Sequence, residues 1–332
     1  MSRLKDAIPQ SWRAAVRHIR LSYQCGAGGR MLVRSEFKRD AQRYLRHMAP
    51  LDYLAGGSIS GRNLLAQVTK DYHRVEKGLS LAKPRRPFGI AVGQRLQWSL
   101  KTLDPSTSLA EWGTSALDAL TEWNEGGDTG RSIVSPERAN EPVPTPEDAF
   151  FTGRHSIRMF EDRAVEGATL EKAVEVARST PSVCNRQSWH VRFYSGEEKR
   201  VVLGYQNGNS GFGESVPVVA LVTVDLRDFA GHTERYQPWI EGGLFSMTLV
   251  WVLHSMGLAS CMLNMSVDNA TAGGLRQEAG VDDSEVVIMM IAIGYAPSSY
   301  RVARSPRIPV GDIVRYLSPS LRTTKQGDGY GK

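Results

Sequence analysis

Twenty-two consecutive residues, Gly242 to Leu263, carry no formal charge. A run of that length can span a bilayer, so what it becomes decides the class of the chain. Gly242-Gly243, Ser246, Thr248, His254, Ser255 and Gly257 interrupt it, and Gly257-Leu258 reads as a helix stop inside it. A helix over 238–256, buried on most faces and available to a subunit interface, accounts for this composition better than a membrane span. The surrounding sequence agrees. Val216–Val224 and Val286–Ile293 are apolar runs rich in β-branched residues, the pattern of strands covered on both faces. His190–Tyr194 and Val201–Tyr205 read as short strands. Helices are expected at 169–179, 238–256 and 269–279, the first capped by Thr169 with Leu170, Ala173, Val174 and Ala177 on its apolar face. The expected fold class is α+β, with a central sheet flanked by helices over residues 148–320 and a flexible tail at 321–332.

Charge separates this core from what precedes it. The 332 residues carry a net +6, but residues 1–101 hold 20 Lys/Arg against 6 Asp/Glu, a net +14, and the remainder is net −8. Trp12, Val16, Ile19 and Tyr23 recur at helical spacing among Arg13, Arg17 and Arg20, and Arg34–Met48 and Arg62–Lys77 read as further basic helices. Leu109–Trp123 is a helix of opposite charge character. The stretch 126–147, with Gly126-Gly127 and Pro136, Pro142, Pro144 and Pro146, reads as a linker. Residues 1–125 are therefore expected to form a basic α-helical N-terminal extension. The three cysteines, Cys25, Cys184 and Cys261, make no disulfide framework, and no Cys/His cluster has zinc spacing, so no metal site is expected. A reducing, cytoplasmic compartment is expected, and residues 1–23 lack the apolar core of a secretory signal.

Four segments of the core carry polar chemistry. In Arg154-His155-Ser156-Ile157-Arg158, two guanidinium forks flank a hydroxyl, a set suited to an anion, although arginines four apart are commonly just solvated. Thr180-Pro181-Ser182-Val183-Cys184-Asn185-Arg186-Gln187-Ser188-Trp189 lies between a helix and a strand. Its Asn and Gln offer donor and acceptor together, matching the edge of a heteroaromatic ring, while Pro, Ser and Asn are also ordinary turn residues. Gly257-Leu258-Ala259-Ser260-Cys261-Met262-Leu263-Asn264-Met265 reads as a loop whose backbone N–H groups approach a flat ligand, or as a plain connection. Gly294-Tyr295, followed by Arg301, Arg304 and Arg307, completes a phosphate site or forms a basic tail.

In this order, over residues 150–318, these segments resemble the nitroreductase family of FMN-dependent oxidoreductases. The family pattern is Arg-x-Ser-x-Arg/Lys, then Pro-Ser-x-x-Asn-x-Gln-x-Trp, a long helix ending in Gly-Leu-x-Ser/Thr, and an apolar strand ending in Gly-Tyr before a basic pair. Ser188 departs from it, since the family usually has Pro after Gln, and Ser305 stands where a basic residue is common. The resemblance implies that Arg154, Ser156 and Arg307, with Arg304, hold the FMN phosphate. It places Arg158 at the flavin pyrimidine edge, where a cation stabilises the reduced ring. Pro181, Ser182, Asn185, Gln187 and Gly294 join the cofactor set, and the backbone of Asn264 and Met265 lies beside N5. Arg158, Asn264 and Met265 are thereby the candidate catalytic positions. Cys184 and Cys261 read as small packing residues.

The extension resembles that of a subgroup of the family. Within it His73, Glu76 and Lys77 share one helix face, as a helix-end salt-bridge cluster or as the substrate side of the flavin. With Arg85 and Arg86 the face suits an anionic small-molecule substrate. A basic amphipathic segment is also compatible with weak peripheral contact to anionic lipid, whereas no nucleic-acid motif occurs. The expectation is a homodimeric FMN enzyme that takes hydride from NAD(P)H and passes it to an oxidised acceptor. The alternatives are a flavin-dependent oxidase or dehydrogenase using oxygen and a non-catalytic flavin-binding protein at a membrane surface.

Overall fold

The computed structural model describes residues 27–48, 61–81, 83–127, 134, 147–300, 302 and 307–318. The expected helix at 11–23, most of the 126–147 linker, Cys25, Arg304 and the 321–332 tail lie outside them. Among the described residues, four helices form in the extension: α1 (Ala27–His47), α2 (Gly61–Leu79), α3 (Ile90–Leu100) and α4 (Ser108–Asn124). The core follows as α5 (Asp148–Thr152), α6 (Gly167–Ala177), β1 (Trp189–Tyr194), α7 (Gly196–Leu203), β2 (Val218–Asp225), α8 (Gln237–Ser255), β3 (Ala259–Asn264), α9 (Asn269–Glu278), β4 (Glu285–Gly294) and α10 (Val310–Ile313).

The four strands pair antiparallel in the order β1-β2-β4-β3. Side chains alternate across a strand, and both faces of β2 are buried. Val218, Ala220, Val222 and Val224 join Ile291 and Ile293 against α6 and α8. Val219 and Leu221 join Met290 and Ala292 against α7 and α9. This is why β2 and β4 read as unbroken apolar runs.

The uncharged run resolves into two elements. Its first part is α8, which ends where Gly257 takes φ 75°, the left-handed conformation that closes many helices. Leu258 N–H then returns to the Leu253 carbonyl at 2.9 Å. Its second part is the edge strand β3, not a loop, because Cys261 and Leu263 alternate inward to cover the α7/α9 face. Gly242 permits close approach of α8 to the sheet, since a Cβ there would meet Ile288 Cγ1 at 2.5 Å. Ile288 sits where the β2/β4 register shifts. Among the described residues, no helix is long and apolar enough to cross a membrane.

Two local expectations fail. Residues 201–205 are not a strand: Val202 and Leu203 face the core from α7 at helical rather than alternating spacing. Thr169 is not the cap of α6, which begins two residues earlier behind Glu166.

The extension has its own apolar centre, with Leu64, Val68, Val75 and Leu79 of α2 packed against Leu96 of α3 and Ala116, Ala119 and Leu120 of α4. It is also bonded to the core. Arg62 makes a two-pronged ion pair with Asp228, and Asn63 Nδ2 donates to the Arg227 carbonyl at 2.7 Å. Lys70 pairs with Glu234 at 3.3 Å, and Arg43 Nε donates to the Asp283 carbonyl at 2.6 Å.

Candidate active site

Residues 154–161 run along the free edge of β3. Ser156 bridges Ser260, Ile157 N–H donates to the Ser260 carbonyl at 3.0 Å, and Glu161 N–H donates to the Tyr295 carbonyl at 2.8 Å. This threading brings Arg154, Ser156 and Arg158 together beside Cys261, whose thiol is pushed up by burial while the Ser156 side chain and both arginines pull the other way. A buried thiol so shifted suits packing rather than nucleophilic use. Arg154 is half-buried, its guanidinium carbon 5.8 Å from the centre of the Trp251 ring. Arg158 is exposed and donates only weakly to the Ser156 carbonyl, at 3.4 Å. Neither arginine forms an ion pair among the described residues, unlike Arg62, Arg95, Arg186, Arg192 and Arg227. Gly294 ends β4 at this same end of the sheet, opposite Ala259. A Cβ there would meet Phe160 at 2.7 Å and Pro217 at 2.8 Å, so close packing alone demands glycine. Arg307 is exposed in the segment after β4.

The second group lies at the other end of the sheet, in the turn before β1. Cys184, Asn185 and Gln187 have φ of 52°, 54° and 49°, a conformation uncommon for residues with a Cβ and clustered at working sites. The turn is held from below by Glu241 of α8, which is fully buried. Glu241 Oε1 accepts from Val183 N–H at 2.8 Å and Oε2 accepts from the Ser188 hydroxyl at 2.7 Å. Burial pushes this carboxyl above the ordinary range against the opposing effect of those donors. Ser188, which departs from the family pattern, is thus a buried donor to Glu241, a bond proline cannot make. Arg186 is sunk beside it, its side chain wholly buried, donating to Glu234 Oε2 at 2.8 Å and to the Val183 carbonyl at 3.1 Å. Ser182 Oγ accepts from Gln187 N–H at 3.0 Å. Asn185 is half-buried, while Pro181 and Gln187 are exposed.

The two groups do not meet within one chain. Trp189 aligns through Val224 with Val286, whereas Ser260 aligns with Ile293. At about 3.4 Å per residue those strand positions are about 24 Å apart, and β1 and β3 are opposite edges. Asn264 and Met265 close β3 at its far end from Ser156. The Asn264 carbonyl accepts from Gln206 Nε2 at 3.0 Å, and its side chain accepts from Ser266 N–H at 3.0 Å.

The extension reaches the strained turn. Helix α2 packs on residues 183–185, with Tyr72 buried on that helix. Next to it, His73 Nδ1 lies 3.0 Å from Glu76 Oε2, and Lys77 is exposed on the same helix. Arg85 and Arg86 stand elsewhere, with the α4 end. Trp123 Nε1 donates to the Arg85 carbonyl at 2.8 Å, and Arg86 stacks on Trp123 at 3.8 Å while donating to the Gly127 carbonyl at 2.6 Å. Tyr72, Arg186, Glu234 and Glu241 were not singled out as site residues by the sequence. Arg186 stood in the 180–189 segment without a role, and the Ser for Pro exchange at 188 was the local sign of a partner such as Glu241. Among the described residues, no group of His, Cys, Asp or Glu is placed to hold a metal.

Comparison with known proteins adds a family. The model of the nitroreductase family matches residues 151–209 and 195–295. The chain is 24% identical over 222 residues to 4-nitrobenzoate reductase of Nocardioides sp., covering 51% of this chain and 89% of that protein. It is 23% identical over 220 residues to nitroreductase NfnB of Mycolicibacterium smegmatis, covering 51% and 92%. A crystal structure of a nitroreductase family protein from Clostridium difficile aligns with a TM-score of 0.45 at 23% identity, over 52% of this chain and 99% of that one.

Proposed function

The chain belongs to the nitroreductase family through residues 151–295, and on that premise we propose that it is an FMN-dependent oxidoreductase. It takes hydride from NAD(P)H and passes it to an oxidised small-molecule acceptor. The observation that carries this reading is the Arg154–Ser156–Arg158 strip: two arginines outside any ion pair among the described residues, beside a hydroxyl that bridges the β3 edge. Such guanidinium groups fit anionic partners, a phosphate or the charge of a reduced flavin ring, and the Asn185/Gln187 pair fits the donor–acceptor edge of that ring. Arg154, Ser156 and Arg307 are assigned to the phosphate, and Arg158 to the pyrimidine edge. Pro181, Ser182, Asn185 and Gln187 are assigned to the ring and ribityl chain, and Asn264 and Met265 to the N5 side. Bound FMN supplies the hydride-accepting centre; the chain's residues orient it and stabilise the negative charge of its reduced form.

The active form is a homodimer. The two motif groups stand at opposite ends of one sheet, so one cofactor contacts both only if a second copy supplies one of them. A surface for that copy exists on α8, where Trp239, Ile240 and Leu244 are exposed beside Tyr236, and exposed apolar patches of this kind mark association.

Titration of the apoprotein with FMN, followed by anaerobic addition of NADPH or NADH, tests the reading. Quenched flavin fluorescence, a raised unfolding temperature and bleaching by a nicotinamide are expected. If FMN neither binds nor stabilises the protein, the reading fails.

A further inference from the structure

Arg154 heads the strip assigned to the anion, and the group that faces it is aromatic rather than acidic. Its guanidinium carbon lies 5.8 Å from the centre of the Trp251 ring. Trp251 stands near the C-terminal end of α8, inside an aromatic cluster. Phe150 and Phe151 of α5 lie against it, with ring centroids 5.4 Å and 5.1 Å away and Phe151 edge-on. Phe150 also meets the His254 ring of α8 at 5.0 Å, and His254 Nε2 lies 3.0 Å from the Phe150 carbonyl. A carbonyl only accepts, so this imidazole carries its proton on Nε2 and donates it. These contacts fix α5 on α8, and only Thr152 and Gly153 stand between Phe151 and Arg154. The strip is therefore held at its start by rings, and further along by the Ser156 bridge and the Ile157 bond to Ser260.

A ring and a carboxylate do different things to a guanidinium. A carboxylate neutralises the charge and occupies the N–H fork, as Asp228 does to Arg62 and Glu285 does to Arg192. An aromatic face attracts the cation through its quadrupole and leaves the net charge and the N–H donors in place. We propose that Trp251 is a positioning residue for Arg154: its ring orients the guanidinium at the head of the strip without neutralising it, so that the whole charge meets the phosphate monoester of the flavin. The proposal rests on the FMN reading above. It makes the aromatic cluster of α5 and α8 the part of the core that favours a phosphorylated flavin over an unphosphorylated one.

The test compares FMN with riboflavin on the full chain, since the two share the ring and the ribityl chain and differ by the phosphate. Trp251→Leu keeps an apolar side chain and removes the aromatic face. It is expected to weaken FMN binding about fivefold, the usual worth of one cation–ring contact, and to leave riboflavin binding unchanged. Trp251→Phe restores a face and is expected to recover most of the FMN affinity. Arg154→Ala weakens FMN binding as well, and adding Trp251→Leu to it is expected to change the affinity no further, because the two residues act as one unit. Parental FMN affinity in Trp251→Leu overturns the proposal, as do equal losses for the two flavins, a Trp251→Phe protein no better than Trp251→Leu, or a full multiplicative loss in the double variant. If Trp251→Leu does not fold, fluorination of the Trp251 ring decides the matter, because it keeps the shape and weakens the attraction for a cation. A lowered preference for FMN over riboflavin then supports the proposal and an unchanged preference overturns it. Failure of the parent protein to bind FMN is a separate result and overturns the functional reading itself.

Discussion

At the end of the sheet where β3 begins, Arg154 and Arg158 stand partly or wholly exposed and outside any ion pair among the described residues. At the end where β1 begins, Arg186 is sunk completely among Glu234, the Val183 carbonyl and the Phe229 ring, 5.1 Å away. One end keeps positive charge in reserve. The other uses the buried Arg186–Glu234 pair and Glu241 to hold a strained turn. Charge in water is cheap to keep but reads only the sign of a ligand, whereas a strained turn persists only when its surroundings over-determine it. The first end therefore suits an anionic group and the second suits recognition of shape and hydrogen-bond pattern.

Breaking each end separates affinity from stability. Replacing Arg154 and Arg158 together by alanine is expected to weaken FMN binding by more than about a hundredfold, from the loss of two charge-assisted contacts. The unfolding free energy of the apoprotein is expected to stay within about 0.5 kcal/mol, as for other exposed sites. Fluorescence titration and urea unfolding measure the two, and a large stability loss would erase the contrast. Glu241→Ala should do the reverse first. It leaves the Val183 N–H and the Ser188 hydroxyl without their partner, a loss of about 3 kcal/mol in urea unfolding, with FMN affinity falling as the turn relaxes. Ser188→Ala removes one of those two bonds and is expected to cost about 1–2 kcal/mol; a neutral result would mean that Glu241 acts through Val183 alone.

The smallest effect concerns acid. Burial pushes the Glu285 carboxyl up, but hydrogen bonds from His190, Arg192 and Thr223 outweigh it and hold it well below the ordinary carboxylate range. A carboxyl depressed in the folded state binds fewer protons there than in the unfolded chain, so its stabilisation is complete above the unfolded value of about 4.5 and drains away as pH falls below it. Unfolding measured between pH 7 and pH 3 should therefore show a declining stability that is shallower in Glu285→Gln. Equal slopes would remove Glu285 from the clamped end.

Most of the core was legible because its signals are local. The apolar runs of β2 and β4 and the Gly257 stop of α8 follow from burial on both faces and from a left-handed cap. Strand β3 was not legible, since six residues with Ser260 and Asn264 among them resemble a loop until the β4 edge pairs them. The segment 201–205 misled because Val-Val-Leu is apolar in either period. Of the site, the motif residues were visible but their separation was not: proximity in sequence order said nothing about which end of the sheet each would occupy.

The amino-acid sequence by itself determined the class of the chain, the strands of its centre, the basic extension and the residue types able to meet a phosphate and a flavin edge. Those properties depend on composition, period and side-chain chemistry, which are written along the chain. The tertiary structure decided that the two motif groups stand at opposite ends of the sheet, that Glu241 clamps the strained turn, and that helix α2 of the extension closes over Asn185. Each of these depends on contacts between residues from about 50 to more than 100 positions apart, and no local pattern encodes such pairings.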